Sequence, residues 1–118
     1  MLEFQNHIHA IWEQEENVMK IRKLLSEDPD SYYVLAMYGK SLFNQISGYC
    51  QYLLRGNMPA EGEIKRRISQ HYKELYGLVQ KHSEHDLLKR SLDMATAIMK
   101  SYSMAKNSFD SDWENTLR

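Results

Sequence analysis

From Leu2 to Ser26 the apolar residues Phe4, Ile8, Ile11, Trp12, Val18, Met19 and Leu25 recur at helical spacing, so the first segment predicts an amphipathic helix ending near Glu27. Its acidic residues Glu13, Glu15 and Glu16 precede its basic ones, Lys20, Arg22 and Lys23, the order that complements a helix dipole. Asp28 followed by Pro29 reads as an N-cap with proline at the first helical position, which starts a second helix there. That helix runs to about Arg55 on a stripe of Tyr32, Leu35, Ala36, Leu42, Phe43, Ile46, Cys50, Leu53 and Leu54. Gly39 lies in its middle, where a neighbouring helix can approach closely.

Gly56 and Asn57 stop the second helix, and Pro59 opens a third whose inward face is Ile64, Ile68, His71, Tyr72, Leu75, Leu78 and Val79. No glycine or proline follows Gly77, yet the apolar stripe changes phase. At roughly 100° per residue, Leu87, Leu88, Ala95, Ile98, Met99 and Tyr102 resume on nearly the opposite side. A break within residues 80–85 restores one common core, with Ser83 as N-cap and Asp86 completing a capping box. The fourth helix then spans Glu84 to about Asn107.

Short connections between helices of similar length favour sequential antiparallel packing. The expected fold is all-α: an up-down-up-down four-helix bundle over residues 1–107. Residues 108–118 form a C-terminal tail or short amphipathic helix, with Phe109, Trp113 and Leu117 spaced by four, packing on the bundle or on a partner.

Fifteen basic against sixteen acidic residues leave no general pull toward nucleic acid or an anionic membrane. A single cysteine, Cys50, with no long apolar run and no signal-peptide core, predicts a cytoplasmic protein without a membrane span. The five histidines prompt a search for metal ligands, but the chain has no E-x-x-H motif, and His7 and His9 point about 200° apart on a helix. His82 and His85 straddle the third turn beside Asp86 and read as solvated turn residues; no metal and no cofactor is expected. The basic residues Arg55, Lys65, Arg66, Arg67 and Lys73 are diluted by Glu61, Glu63 and Glu74 and read as a solvated surface.

Two short stretches resemble known families. Arg66 to His71, R-R-I-S-Q-H, resembles the R-x4-6-H motif of HEPN ribonucleases, small helical bundles that cleave RNA as dimers. The resemblance implies that Arg66 holds the scissile phosphate and His71 drives attack by the ribose hydroxyl, without a metal. Arg67 stands where that family usually has a small polar residue. His85 to Leu92, H-D-L-L-K-R-S-L, is similar to the phosphoacceptor helix of one histidine-kinase class, H-D-x-L-x-x-x-L, but Arg90 departs from the Gln or His usual there and no ATP-binding domain follows.

The surface positions carry two anomalies. Val34, Tyr38, Tyr49 and Tyr52, with Gln45 among them, line a second face of the second helix, and tyrosines suit binding surfaces. Together with Phe109, Trp113 and Leu117 they predict a partner-binding surface, for another protein or for a second copy of the chain; the alternative for the residues of the second helix is that this helix is central and contacts both neighbours through its flanks. Glu15 and Arg22 interrupt the apolar stripe of the first helix. They stand about 10 Å apart along its axis, so each requires a partner elsewhere if buried; either the first helix sits at a wet edge of the bundle, the preferred reading, or it takes part in an interface with charge-specified register. The reading that follows is a small regulatory or adaptor protein acting through helical faces, with the ribonuclease as the alternative.

Overall fold

In a computed structural model the described residues are the backbone of 2–54 and 61–106 and the side chains of 15–54 and 61–102. They form four helices and no strand: α1 (Leu2–Glu27), α2 (Tyr32–Leu54), α3 (Glu61–Lys81) and α4 (Asp86–Lys106). The chain is all-α, and α3 ends inside the window where the stripe changes phase. No helix among the described residues is long and apolar enough to cross a membrane. Phe109, Trp113 and Leu117 lie outside the described residues, as do Phe4, Ile8, Ile11 and Trp12 as side chains.

The α1–α2 and α3–α4 connections are built alike, and neither starts its helix where the sequence suggested. Asp28 does not cap α2, because the chain first makes a β-turn in which the Ser31 amide donates to the Asp28 carbonyl at 3.2 Å. Pro29, at the second turn position, favours that conformation and keeps Asp28 from being a helical residue. Ser31 is the cap: its Oγ accepts from the Val34 amide at 3.4 Å. Ser83 likewise yields to His85, whose amide closes a second turn on the His82 carbonyl at 3.0 Å. His85 Nδ1 then accepts from the Leu88 amide at 3.2 Å, the role usually held by a serine or aspartate oxygen.

The caps also join the two turns. His85 stacks on the Tyr32 ring at 4.1 Å, and its Nε2 lies 3.0 Å from the Tyr32 carbonyl. One ring nitrogen accepts and the other donates, which defines the neutral Nε2–H tautomer. Tyr32 is therefore half exposed above His85 rather than a core residue. Met19, Leu54 and Leu87, also expected in the stripes, stand exposed at the edges.

Helix α2 packs against each of the other three, most extensively against α4. Gly39 makes that approach: a methyl group placed there would sit 2.7 Å from Leu88 Cδ2 and 3.5 Å from Ser91 Oγ. Around it Leu35, Leu42, Ile46, Leu53, Leu88, Ala95 and Met99 are buried, joined by Ile68 and Leu75 of α3 and Val18 of α1. His85 beside Tyr32 and Leu88 beside Gly39 show that α2 and α4 run in the same direction.

Candidate functional site

The anomalous residues of α1 find their partners on α2 and α3. Glu15 Oε1 lies 2.7 Å from His71 Nε2 and accepts from the Tyr49 hydroxyl at 3.0 Å. A carboxylate only accepts, so His71 carries its hydrogen on Nε2. The Tyr49 ring lies parallel to the imidazole, and its hydroxyl takes a further hydrogen from Arg67 Nη1 at 3.4 Å. Two turns along α1, Arg22 repeats the arrangement. Its Nε donates to the Tyr38 hydroxyl at 2.8 Å and its Nη2 to Glu74 Oε2 at 3.0 Å, while Tyr38 donates to Glu74 Oε1. Each rung thus links one charged group of α1 and one tyrosine of α2 to polar groups of α3, His71 and Arg67 in the first and Glu74 in the second.

Burial alone would raise the Glu15 carboxyl. The hydrogen bond and charge of His71, with hydrogen bonds from Tyr49 and Gln45, outweigh it and hold the group at about 2. Burial pushes the Tyr49 phenol up to about 12, aided by Glu15 and opposed by Arg67. Tyr38 moves in the same direction, through burial and its bond to Glu74. Burial also raises the Cys50 thiol to about 12. Acid–base and nucleophilic chemistry near neutral pH needs groups that titrate there, and these have been moved away from it.

The structure does not bring Arg66 and His71 to one site. Arg66 extends from α3 into solvent and is held by Glu63 at 2.7 and 3.0 Å, whereas His71 is buried against Glu15. Lys65 and Arg67 also meet acids of the same helix, Glu61 and Glu63. No group of three metal-ligating side chains occurs among the described residues, and His85 is engaged as a helix cap.

Of the expected partner-binding residues on α2, Tyr38, Tyr49 and Tyr52 are buried at 1, 1 and 2 % exposure, and Val34 is half-buried. The physical reason is that α2 is central. Its second face, which looked like surplus apolar area, meets α1 and α3 in the two rungs. The sequence reading took Glu74 as surface dilution of a basic patch. It stands three residues after His71, hence on the same face of α3, and that spacing was the available signal.

The apolar groups that do reach solvent are elsewhere. Tyr33 (80 % exposed) and Met37 (47 %) stand one turn apart on the outer side of α2, with Leu24 exposed on α1. Between α1 and α2 on this side lies an open groove of about 500 Å³, its lining including Ile21, Met37 and Ser41 with Lys20 and Lys40. Ser41 Oγ is buried there without a hydrogen-bond partner among the described residues. No protein-family model matches this chain, and comparison with curated proteins and with solved structures likewise returned no match.

Proposed function

We propose that this chain acts through protein–protein contact, as a small regulatory or adaptor protein, and that the outer face of α1 and α2 takes an apolar helical segment bearing acidic side chains. The observation carrying this reading is the groove beside the exposed Tyr33 and Met37. Its lining charges among the described residues are both cationic, Lys20 and Lys40. An apolar anchor on Ile21 and Met37 with carboxylates at the lysine rim satisfies both features, the usual division between the centre and rim of an interface. The polar rungs support the same conclusion from the other side. They join three helices internally, and within them the Glu15 carboxyl is held down at about 2 and the Tyr49 phenol up at about 12.

Zero-length carbodiimide coupling tests this directly, because it joins a lysine amine to a carboxylate already in contact. Performed in an extract of the native host and read by mass spectrometry, it should give adducts from Lys20 or Lys40 to Asp or Glu of the occupant. A folded Met37→Glu variant should lose them. The absence of adducts at both lysines, or their persistence in the variant, overturns the proposal.

A further inference from the structure

Resting on that reading of the groove, we infer that its occupant is the C-terminal segment of a second copy of this chain, residues 108–118, exchanged reciprocally in a dimer. The segment has the required chemistry. Phe109, Trp113 and Leu117, spaced by four, share one face when the segment is helical, and Asp110, Asp112 and Glu114 outnumber Arg118 beside them. The groove presents the complement, Ile21 and Met37 between Lys20 and Lys40.

Reach decides between the chain's own segment and that of a neighbour. Helix α4 lies on the Gly39 side of α2, whereas Met37 and Ser41 point roughly 160° away around the helix. Gly39 stands level with Ser91, and fifteen residues further on each helix are Leu54 and Lys106, so α4 ends beside the end of α2. The groove lies at least ten residues back, about 15 Å, and on the far side of a helix about 10 Å thick. Phe109 is three residues beyond Lys106, a reach of about 10 Å even when extended. A helix with all three anchors seated is therefore accessible to a second molecule and not to its own. Each copy has one groove and one segment, which a two-fold axis pairs twice.

The test is sedimentation equilibrium of the full chain, with carbodiimide coupling of a 1:1 mixture of ¹⁴N- and ¹⁵N-labelled protein. The expected result is a dimer, and adducts of mixed isotope joining Lys20 or Lys40 to Asp110, Asp112 or Glu114. Trp113→Ser should weaken dimerisation at least about tenfold with an unchanged circular dichroism spectrum, as loss of a buried aromatic anchor does. Met37→Glu should do the same, and mixing these two folded variants should restore one of the two contacts and hence a heterodimer. Adducts confined to one isotope mean that the chain's own tail fills the groove, and they overturn the exchange. A monomer whose Lys20 or Lys40 couples to another protein overturns it too while leaving the docking reading intact. No coupling at either lysine removes both.

Discussion

Helix α2 meets α4 and α1 by different means. Toward α4 the contact is close and apolar, with Gly39 admitting Leu88 and with Ile46 and Ala95 buried nearby. Toward α1, and toward α3 beside it, the contact includes Glu15 with His71 and Tyr49, and Arg22 with Tyr38 and Glu74. An apolar seam derives its strength from area and fit and tolerates small sliding motions. A seam with charged rungs gains less net free energy per contact, but each rung is costly to leave unmade, so the rungs specify register. The largest effect should therefore come from the apolar side. Leu88→Ala removes a fully buried side chain at the closest approach and should cost about 3–4 kcal/mol, read as the urea midpoint with an unchanged slope. A loss below about 1 kcal/mol would mean that the α2–α4 seam is not the tight one.

On the polar side, Glu15→Ala leaves His71, Tyr49 and Gln45 without their common acceptor and should cost about 2 kcal/mol. His71→Ala should cost a similar amount. Because the two residues form one contact, the double variant should lose less than the two single losses added together. Strict additivity in that cycle would show that the rung does not act as a unit.

Acid sharpens the same contrast. The Glu15 carboxyl is held at about 2 in the folded chain against an ordinary 4.5. A depressed carboxyl contributes stability that is fully present above the unfolded value and is lost as pH falls through the folded one. Unfolding free energy should thus fall between about pH 4.5 and 2, by up to roughly 2–3 kcal/mol from this group. Glu15→Gln should flatten that acid limb, whereas Leu88→Ala should lower stability equally at every pH. A limb of the same slope in Glu15→Gln would assign it to other carboxylates.

The seams also differ in how far the sequence disclosed them. Leu88, Ala95 and Met99 recur on one face of α4, and Gly39 stands out on α2, so periodicity alone points to the apolar contact. The turn between α3 and α4 was legible for the same reason, since a shift in phase is a property of the pattern. Its cap was not, because His85 works through a ring nitrogen and a stack on Tyr32, a partner fifty-three residues away. The rungs were half legible. Glu15 and Arg22 were visible as residues that required partners, but those partners lie on two other helices, and pattern on one helix carries no information about which residue of another it meets. Tyr38 and Tyr49 left two readings open for that reason: large amphipathic rings beside a stripe fit an external interface as well as the internal one in which they are buried.

The smallest effect should come from the Arg22 rung. Tyr38→Phe keeps the buried ring and the Arg22 guanidinium 5.9 Å from its centre, and leaves Arg22 Nη2 on Glu74 Oε2. It removes the hydroxyl that takes a hydrogen from Arg22 Nε and gives one to Glu74 Oε1. Arg22 is half exposed and Glu74 a third exposed, so water can replace both lost bonds. The cost should be about 1 kcal/mol or less, smaller than that of Glu15→Ala, whose donors include the more deeply buried His71. Thermal unfolding followed by circular dichroism is sufficient to compare the two. If Tyr38→Phe proves the more damaging, the register of α1 is set at Arg22 rather than at Glu15, and the order of the two rungs is reversed.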